Sequence, residues 1–157
     1  SNFCKAPSMN RALKFFLVSL VVVFCIDQWL KTLFLEGLRW NGDYFSLVLT
    51  FNKGVAFSML SFLDEYLKYI QLVLISGLCI YLIWEKETFI KYAFPAGIIA
   101  GAGLSNVYDR FIHGGVVDYF FWHYGFEFAV FNFADVMINF GVVLILWYSW
   151  KGSKKAI

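Results

Sequence analysis

The sequence predicts a mainly α-helical membrane protein: a four-helix transmembrane bundle with a small amphipathic β-sheet on its outer face. Three observations predict it. First, the 157-residue chain is 61% hydrophobic and 15% charged, whereas soluble domains carry about a quarter charged residues. So much apolar surface cannot be hidden in one small core, and lipid is the natural solvent. Second, four apolar runs come close to the roughly 20 residues that a helix needs to cross a bilayer. Third, the polar residues that lipid rejects gather at one depth, beneath one surface, rather than being strung across as an ion path would need. The net charge is +2, and no cluster of Lys and Arg interleaved with aromatics appears, which argues against a nucleic-acid partner.

Residues 1–8 (SNFCKAPS) precede Met9 and read as an appended or unstructured tail, leaving 9–157 as a single domain. The first span is expected over 13–35. It lacks a small-residue cleavage site and is read as retained. Within it, Asp27 and Lys31 stand four apart in the favourable acid-then-base order, a structural ion pair that braces the bundle. The loop from Glu36 to Tyr66 holds the turn signal Asn41-Gly42-Asp43. The run 44–51 (YFSLVLTF) is rich in β-formers, Asn52-Lys53-Gly54 interrupts it, and 55–60 (VAFSML) resumes it. An antiparallel sheet lying on the membrane is expected, either supporting a substrate or merely folded over the bundle.

The second span is expected over 67–84 and the third over 90–108. The third contains Gly97-Ile-Ile-Ala-Gly101, whose small residues let helix backbones approach closely. Asn106 and Arg110, four apart, share a face; Arg110 alone would read as snorkelling to the interface. Asp109 lies about 100° round the helix from Arg110 and is expected in the head-group region. The fourth span is expected over 131–150, with Asn132 as N-cap and Asp135 three residues on.

Orientation follows from the cations. Eight (Lys5, Arg11, Lys14, Lys86, Lys91, Lys151, Lys154, Lys155) fall on one side of this arrangement, and five (Lys31, Arg39, Lys53, Lys68, Arg110) lie towards the other. Both termini are therefore expected in the cytoplasm, with the polar cluster near the outer face. Cys25 and Cys79 lie about 18 Å and about 7 Å from the inner ends of their spans, depths that do not suit a disulfide.

Two carboxylates stand out. Asp135 opens an almost wholly apolar span, and an ionisable residue there is a candidate functional group. Asp118 lies in the link before it, with sixteen residues between them. Capping alone would explain Asp135, and exposure to water would explain Asp118. Brought together in a dry pocket, the two cannot readily both ionise and would share one proton. That state suits peptide hydrolysis: the ionised member activates water while the protonated one bonds the scissile carbonyl.

Five motifs in order, spread over nearly all of Met9 to Lys155, give the chain a wider identity: Asp27-Gln-Trp-Leu-Lys31, Asn52-Lys-Gly-Val-Ala-Phe57, Gly101 to Arg110 (GAGLSNVYDR), Gly115-Val-Val-Asp118-Tyr and Phe131-Asn-Phe-Ala-Asp135. With these it resembles the lipoprotein signal peptidases (signal peptidase II), bacterial intramembrane aspartyl proteases. The resemblance implies catalytic Asp118 and Asp135. It implies supporting or substrate-binding roles for Asn52, Gly54, Asn106, Arg110, Asn132 and Ala134, and a bracing role for Asp27 and Lys31. It further implies a β-cradle in the first outer loop and a short gating outer helix between spans 3 and 4. The expected reaction is cleavage of a prolipoprotein signal peptide before a diacylglyceryl-modified cysteine, by a monomer in the bacterial inner membrane. Membrane phospholipid and cyclic peptide inhibitors such as globomycin are the further partners implied, and no cofactor. The chain departs from the family pattern at Ser105, where Gly usually precedes the Asn, at Gly103 for Ala, at Val55 for Ala, and at Phe128-Ala129 for Trp-Pro.

Rival readings are a transporter or channel with the aspartates as a proton relay, and a non-catalytic lipid- or peptide-binding module. Metal catalysis is disfavoured, since His113 and His123 flank Asp118 without the spacing of a ligand set.

Overall fold

A computed structural model describes residues 8–154. Four long helices account for most of it: α1 (Met9–Leu35), α2 (Asp64–Trp84), α3 (Lys86–His113) and α4 (Phe133–Lys154). Each matches one of the four expected runs, extended by up to five residues at an end. Ser8, assigned to the tail from sequence, caps α1: its Oγ accepts the Arg11 N–H at 3.4 Å, the role for which serine is favoured before a helix. Cys4, Lys5 and Lys155 lie outside the described residues.

By length and composition, three helical segments are able to cross a membrane: Met9–Leu35, Ser61–Trp84 and Phe133–Lys154. The α3 helix is not among them. It is the least apolar of the four, rich in Gly and Ala, and sits at the centre, packed against α1, α2 and α4. Its neighbours cover it, so its surface need not be made of large apolar side chains. Gly97 and Gly101 face α1, as the spacing predicts. A Cβ on Gly97 would collide with Ser19 Oγ and the Phe16 carbonyl, and one on Gly101 with the backbone of Leu20. On the other side, Gly141 of α4 admits Ile99. Outward from this centre, large apolar side chains such as Val73, Leu74, Ile83, Val143 and Leu146 stand exposed, as expected of surfaces that meet lipid tails.

At the end where α1 stops and α4 begins lies a three-stranded antiparallel sheet in the order β1 (Trp40–Asn41), β2 (Phe45–Asn52), β3 (Val116–Trp122). The predicted strand 44–51 is β2. Its expected partner, 55–60, is not a strand: it makes a tight 3₁₀ turn in which Phe57, Ser58 and Leu60 all take positive φ (57°, 56° and 59°). The partner comes instead from beyond α3. Phe45 pairs with Trp122, Thr50 with Asp118 and Asn52 with Val116, with a bulge between Leu47 and Thr50. The short outer helix implied between spans 3 and 4 is not formed either. Residues 116–122 are strand, and 123–132 run as irregular chain bridged to the strand through Phe120 and Phe131.

Candidate active site

Asp118 belongs to β3, which leaves α3 through Gly114 in the left-handed region (φ 70°). This reverses the chain beside the end of α3. Asp118 is 3% exposed, so the reading of a carboxylate facing water does not hold. Asp135 is half-buried in the first turn of α4. The expected capping box is present in full: Asn132 Oδ1 accepts the Asp135 N–H at 2.9 Å, and Asp135 Oδ2 accepts the Asn132 N–H at 3.0 Å. Capping does not exhaust either residue. Asn132 Nδ2 also donates to Asp118 Oδ1 at 2.8 Å, so one side chain touches both aspartates. Asn106 completes the link, donating to Asp135 Oδ1 at 3.3 Å and accepting from Asn132 Nδ2 at 3.1 Å.

Asp118 and Asp135 line one cavity of about 530 Å³ with Asn52, Gly54, Asn106 and Arg110. The sequence-predicted residues therefore converge. Burial first, and then the neighbouring charge of Asp135, push the Asp118 carboxyl up to about 7 against the opposing amides of Asn52 and Asn132 and the charge of Lys31. A second cavity of about 290 Å³ also reaches Asp118, sharing Asn52 and residues 128–130 with the first.

The supporting residues each have a mechanical task. Asn52 closes an Asx turn, accepting the Gly54 N–H at 2.9 Å and donating to the Val55 carbonyl at 2.8 Å. Gly54 has no room for a Cβ, which would strike the backbone of Ser58 and Met59. Arg110 does not snorkel. It is buried, donating through Nη2 to the Gly54 carbonyl and through Nε to Gln71 Oε1 at 3.0 Å, and so ties the loop and α2 to α3.

Asp27 and Lys31 pair at 2.6 Å, but Lys31 has a second partner: Asp109 Oδ2, also at 2.6 Å. All three are almost fully buried. Asp109, expected in the head-group region, faces α1 instead. Each member of the triad grips the active-site chain. Asp27 Oδ1 accepts the Ala134 N–H at 2.8 Å, Asp109 Oδ2 accepts the Val117 N–H at 3.1 Å, and Lys31 donates to Asn106 Oδ1 at 2.9 Å. The residues adjacent to both aspartates are thus held from one buried ionic cluster. Ser105, the departure from the family pattern, donates to Asp27 Oδ2 at 2.6 Å, and Gln28 donates to both Ser105 Oγ and Asp109 Oδ1.

No role in the site was assigned from sequence to Asp109, Gln28, Ser105 or Gln71. A signal existed for two of them: Ser105 and Asp109 repeat, on α3, the four-residue spacing of Asp27 and Lys31 on α1. His113 and His123 have separate neighbours, His113 beside Phe51 and His123 bonded to Ser46 Oγ at 2.9 Å.

A family model described as signal peptidase (SPase) II matches residues 19–151. The lipoprotein signal peptidase of Wolinella succinogenes is 54% identical over 134 residues, covering 85% of this chain and 92% of that protein. That of Helicobacter pylori is 54% identical over 137 residues, 87% of each. A solved structure described as a bacterial membrane enzyme superposes with a TM-score of 0.72 at 23% identity, over 89% of this chain and 90% of that one, which shows a shared fold.

Proposed function

Because this chain belongs to the signal peptidase II family, and so is a protease that removes signal peptides from prolipoproteins, we propose that Asp118 and Asp135 carry the cleavage as an aspartyl dyad. The observation that supports this most directly is Asn132, whose side-chain amide donates to the Asp118 carboxyl and whose backbone N–H donates to the Asp135 carboxyl, both carboxyls lying in the wall of one cavity. Two donors, the Asn132 N–H and the Asn106 amide, face Asp135 at a helix N-terminus, an arrangement that favours a carboxylate there. Asp118, in its dry strand position, keeps the proton. In this assignment Asp135 takes a proton from the attacking water. Asp118 hydrogen-bonds the scissile carbonyl, then passes its proton towards the leaving amine.

The substrate is a prolipoprotein whose lipidated cysteine lies near the membrane surface, cut just before that residue. The site's depth supports this, since the cavity sits between the sheet and the ends of α3 and α4, where a diacylglyceryl group in lipid and a peptide bond near water meet. All four helices cross the bilayer of the bacterial cytoplasmic membrane. The termini are cytoplasmic and the aspartates lie near the outer face, with the clustering of Lys and Arg at the terminal end in support. Asn52, Gly54 and Arg110 shape the substrate side of the cavity, Ala134 and Asn132 fix α4, and a single domain over 9–157 works as a monomer. A cyclic peptide such as globomycin competes by occupying the same cavity.

The decisive experiment assays Asp118→Asn and Asp135→Asn as purified proteins on a lipidated prolipoprotein. Each should lose about 10²- to 10⁴-fold in turnover. Full activity in either overturns the dyad.

A further inference from the structure

At the end of the bundle remote from the aspartates, α1, α3 and α4 leave a groove of about 430 Å³ that the proteolytic reading does not use. Its floor is made by two small, buried side chains, Ala12 and Ala93. Phe15, Ile90 and Phe94 make its walls, while Arg11, in the first turn of α1, and Lys91, in the second turn of α3, line the same groove. Apolar walls running up into the membrane with paired cations at the end form a graded surface, charged outside and oily within.

Among the described residues, neither cation stands in an ion pair; the ion pairs there are those of Lys31. Glu87, one turn before Lys91 and correctly spaced for it, makes none. At Gly152, a Cβ would stand 2.8 Å from Lys91 Nζ, so the glycine gives the ammonium its place at the end of α4. This end of the described chain carries six cations (Arg11, Lys14, Lys86, Lys91, Lys151, Lys154) against two carboxylates, Glu85 and Glu87. The groove thus lies in a strongly positive field.

We propose that this groove binds one anionic glycerophospholipid, its phosphate held by Arg11 and Lys91 and an acyl chain lying along Phe15, Ile90 and Phe94. The charge selects the class: a basic recess between membrane helices attracts anionic head groups over zwitterionic ones. The apolar walls select a lipid over a free phosphate, because only an amphiphile fills both parts.

The test uses the full chain purified in mild detergent and titrated with phosphatidylglycerol or phosphatidylcholine, with bound lipid counted by native mass spectrometry. One phosphatidylglycerol should be retained at concentrations where phosphatidylcholine is not. The double variant Arg11→Gln/Lys91→Gln should weaken that binding at least tenfold. Lys151→Gln/Lys154→Gln, which removes equal charge outside the groove, should change it less than threefold. Glycerophosphoglycerol, the head group without its chains, should not displace the lipid. Equal retention of phosphatidylcholine, an unchanged Arg11→Gln/Lys91→Gln variant, an equal loss in the Lys151→Gln/Lys154→Gln variant, or displacement by the bare head group would each overturn the proposal.

Discussion

Lys31 is an ammonium group enclosed by two carboxylates, with no access to water. Its removal leaves Asp27 and Asp109 as like charges facing each other in a medium that screens little. Lys31→Met should therefore cost about 3–5 kcal/mol, read as a drop in denaturation midpoint, and should slow turnover in whatever fraction still folds, since Asn106 loses its anchor. Asp118 makes a second prediction, in pH. Its folded pKa of about 7 lies above the ordinary value of 3.8, so the folded state holds the proton more tightly than the unfolded chain does. The stability this confers is complete below 3.8 and is lost as pH rises through about 7. The melting temperature should fall as pH climbs from 3.8 to about 7 and level off above that, turnover should fall as pH passes neutrality and the shared proton leaves, and Asp118→Asn should remove that part of the melting curve's pH dependence. A wild-type melting temperature that is flat across this range would contradict the assignment. Both aspartates and the Asp27–Lys31 pair were legible in the sequence, because an ionisable group inside an apolar run stands out. Asp109 was not, because helical geometry says which residues share a face but not which neighbouring helix that face meets.

Between α1 and α3 the contact is backbone against backbone, made possible by Gly97 and Gly101. Gly101→Leu should push the helices apart by the width of a side chain and move Asp27 away from Ala134. A loss of about 1–3 kcal/mol or more is expected, checked by thermal unfolding in detergent. Gly77, with open space around it, is the control position. The four helices were legible from apolar run length, and the Gly97–Gly101 contact from spacing. The sheet was half legible. β2 announced itself through its β-branched and aromatic residues, but 55–60 has a similar apolar composition, and local sequence favours the nearer partner. What decides otherwise is the left-handed turn at Phe57 to Leu60, in which Gly54 seats against Ser58 and Met59, leaving the edge of β2 free for residues from the far side of α3. The same pairing explains the missing outer helix, since a segment tied to Phe120 through Phe131 is committed to extended chain.

At the scale of the whole molecule, the proposed mechanism rests on Asp118 and Asp135 acting as a pair. A carboxyl pair that activates water directly needs no Lewis acid, so incubation with a strong chelator followed by assay on lipidated substrate should leave turnover unchanged. A loss restored by a divalent cation would refute this. The distribution of polarity also carries a consequence for how the chain reaches its membrane. With its glycines, Lys86, Glu87, Lys91, Asp109 and Arg110, α3 would partition poorly into lipid by itself. Only Glu85 separates it from the strongly apolar α2. On the proposed four-span topology, α2 and α3 are expected to enter the membrane together as a hairpin, the oily partner carrying the reluctant one, with the burial of Asp109 against Lys31 locking a late arrival in place.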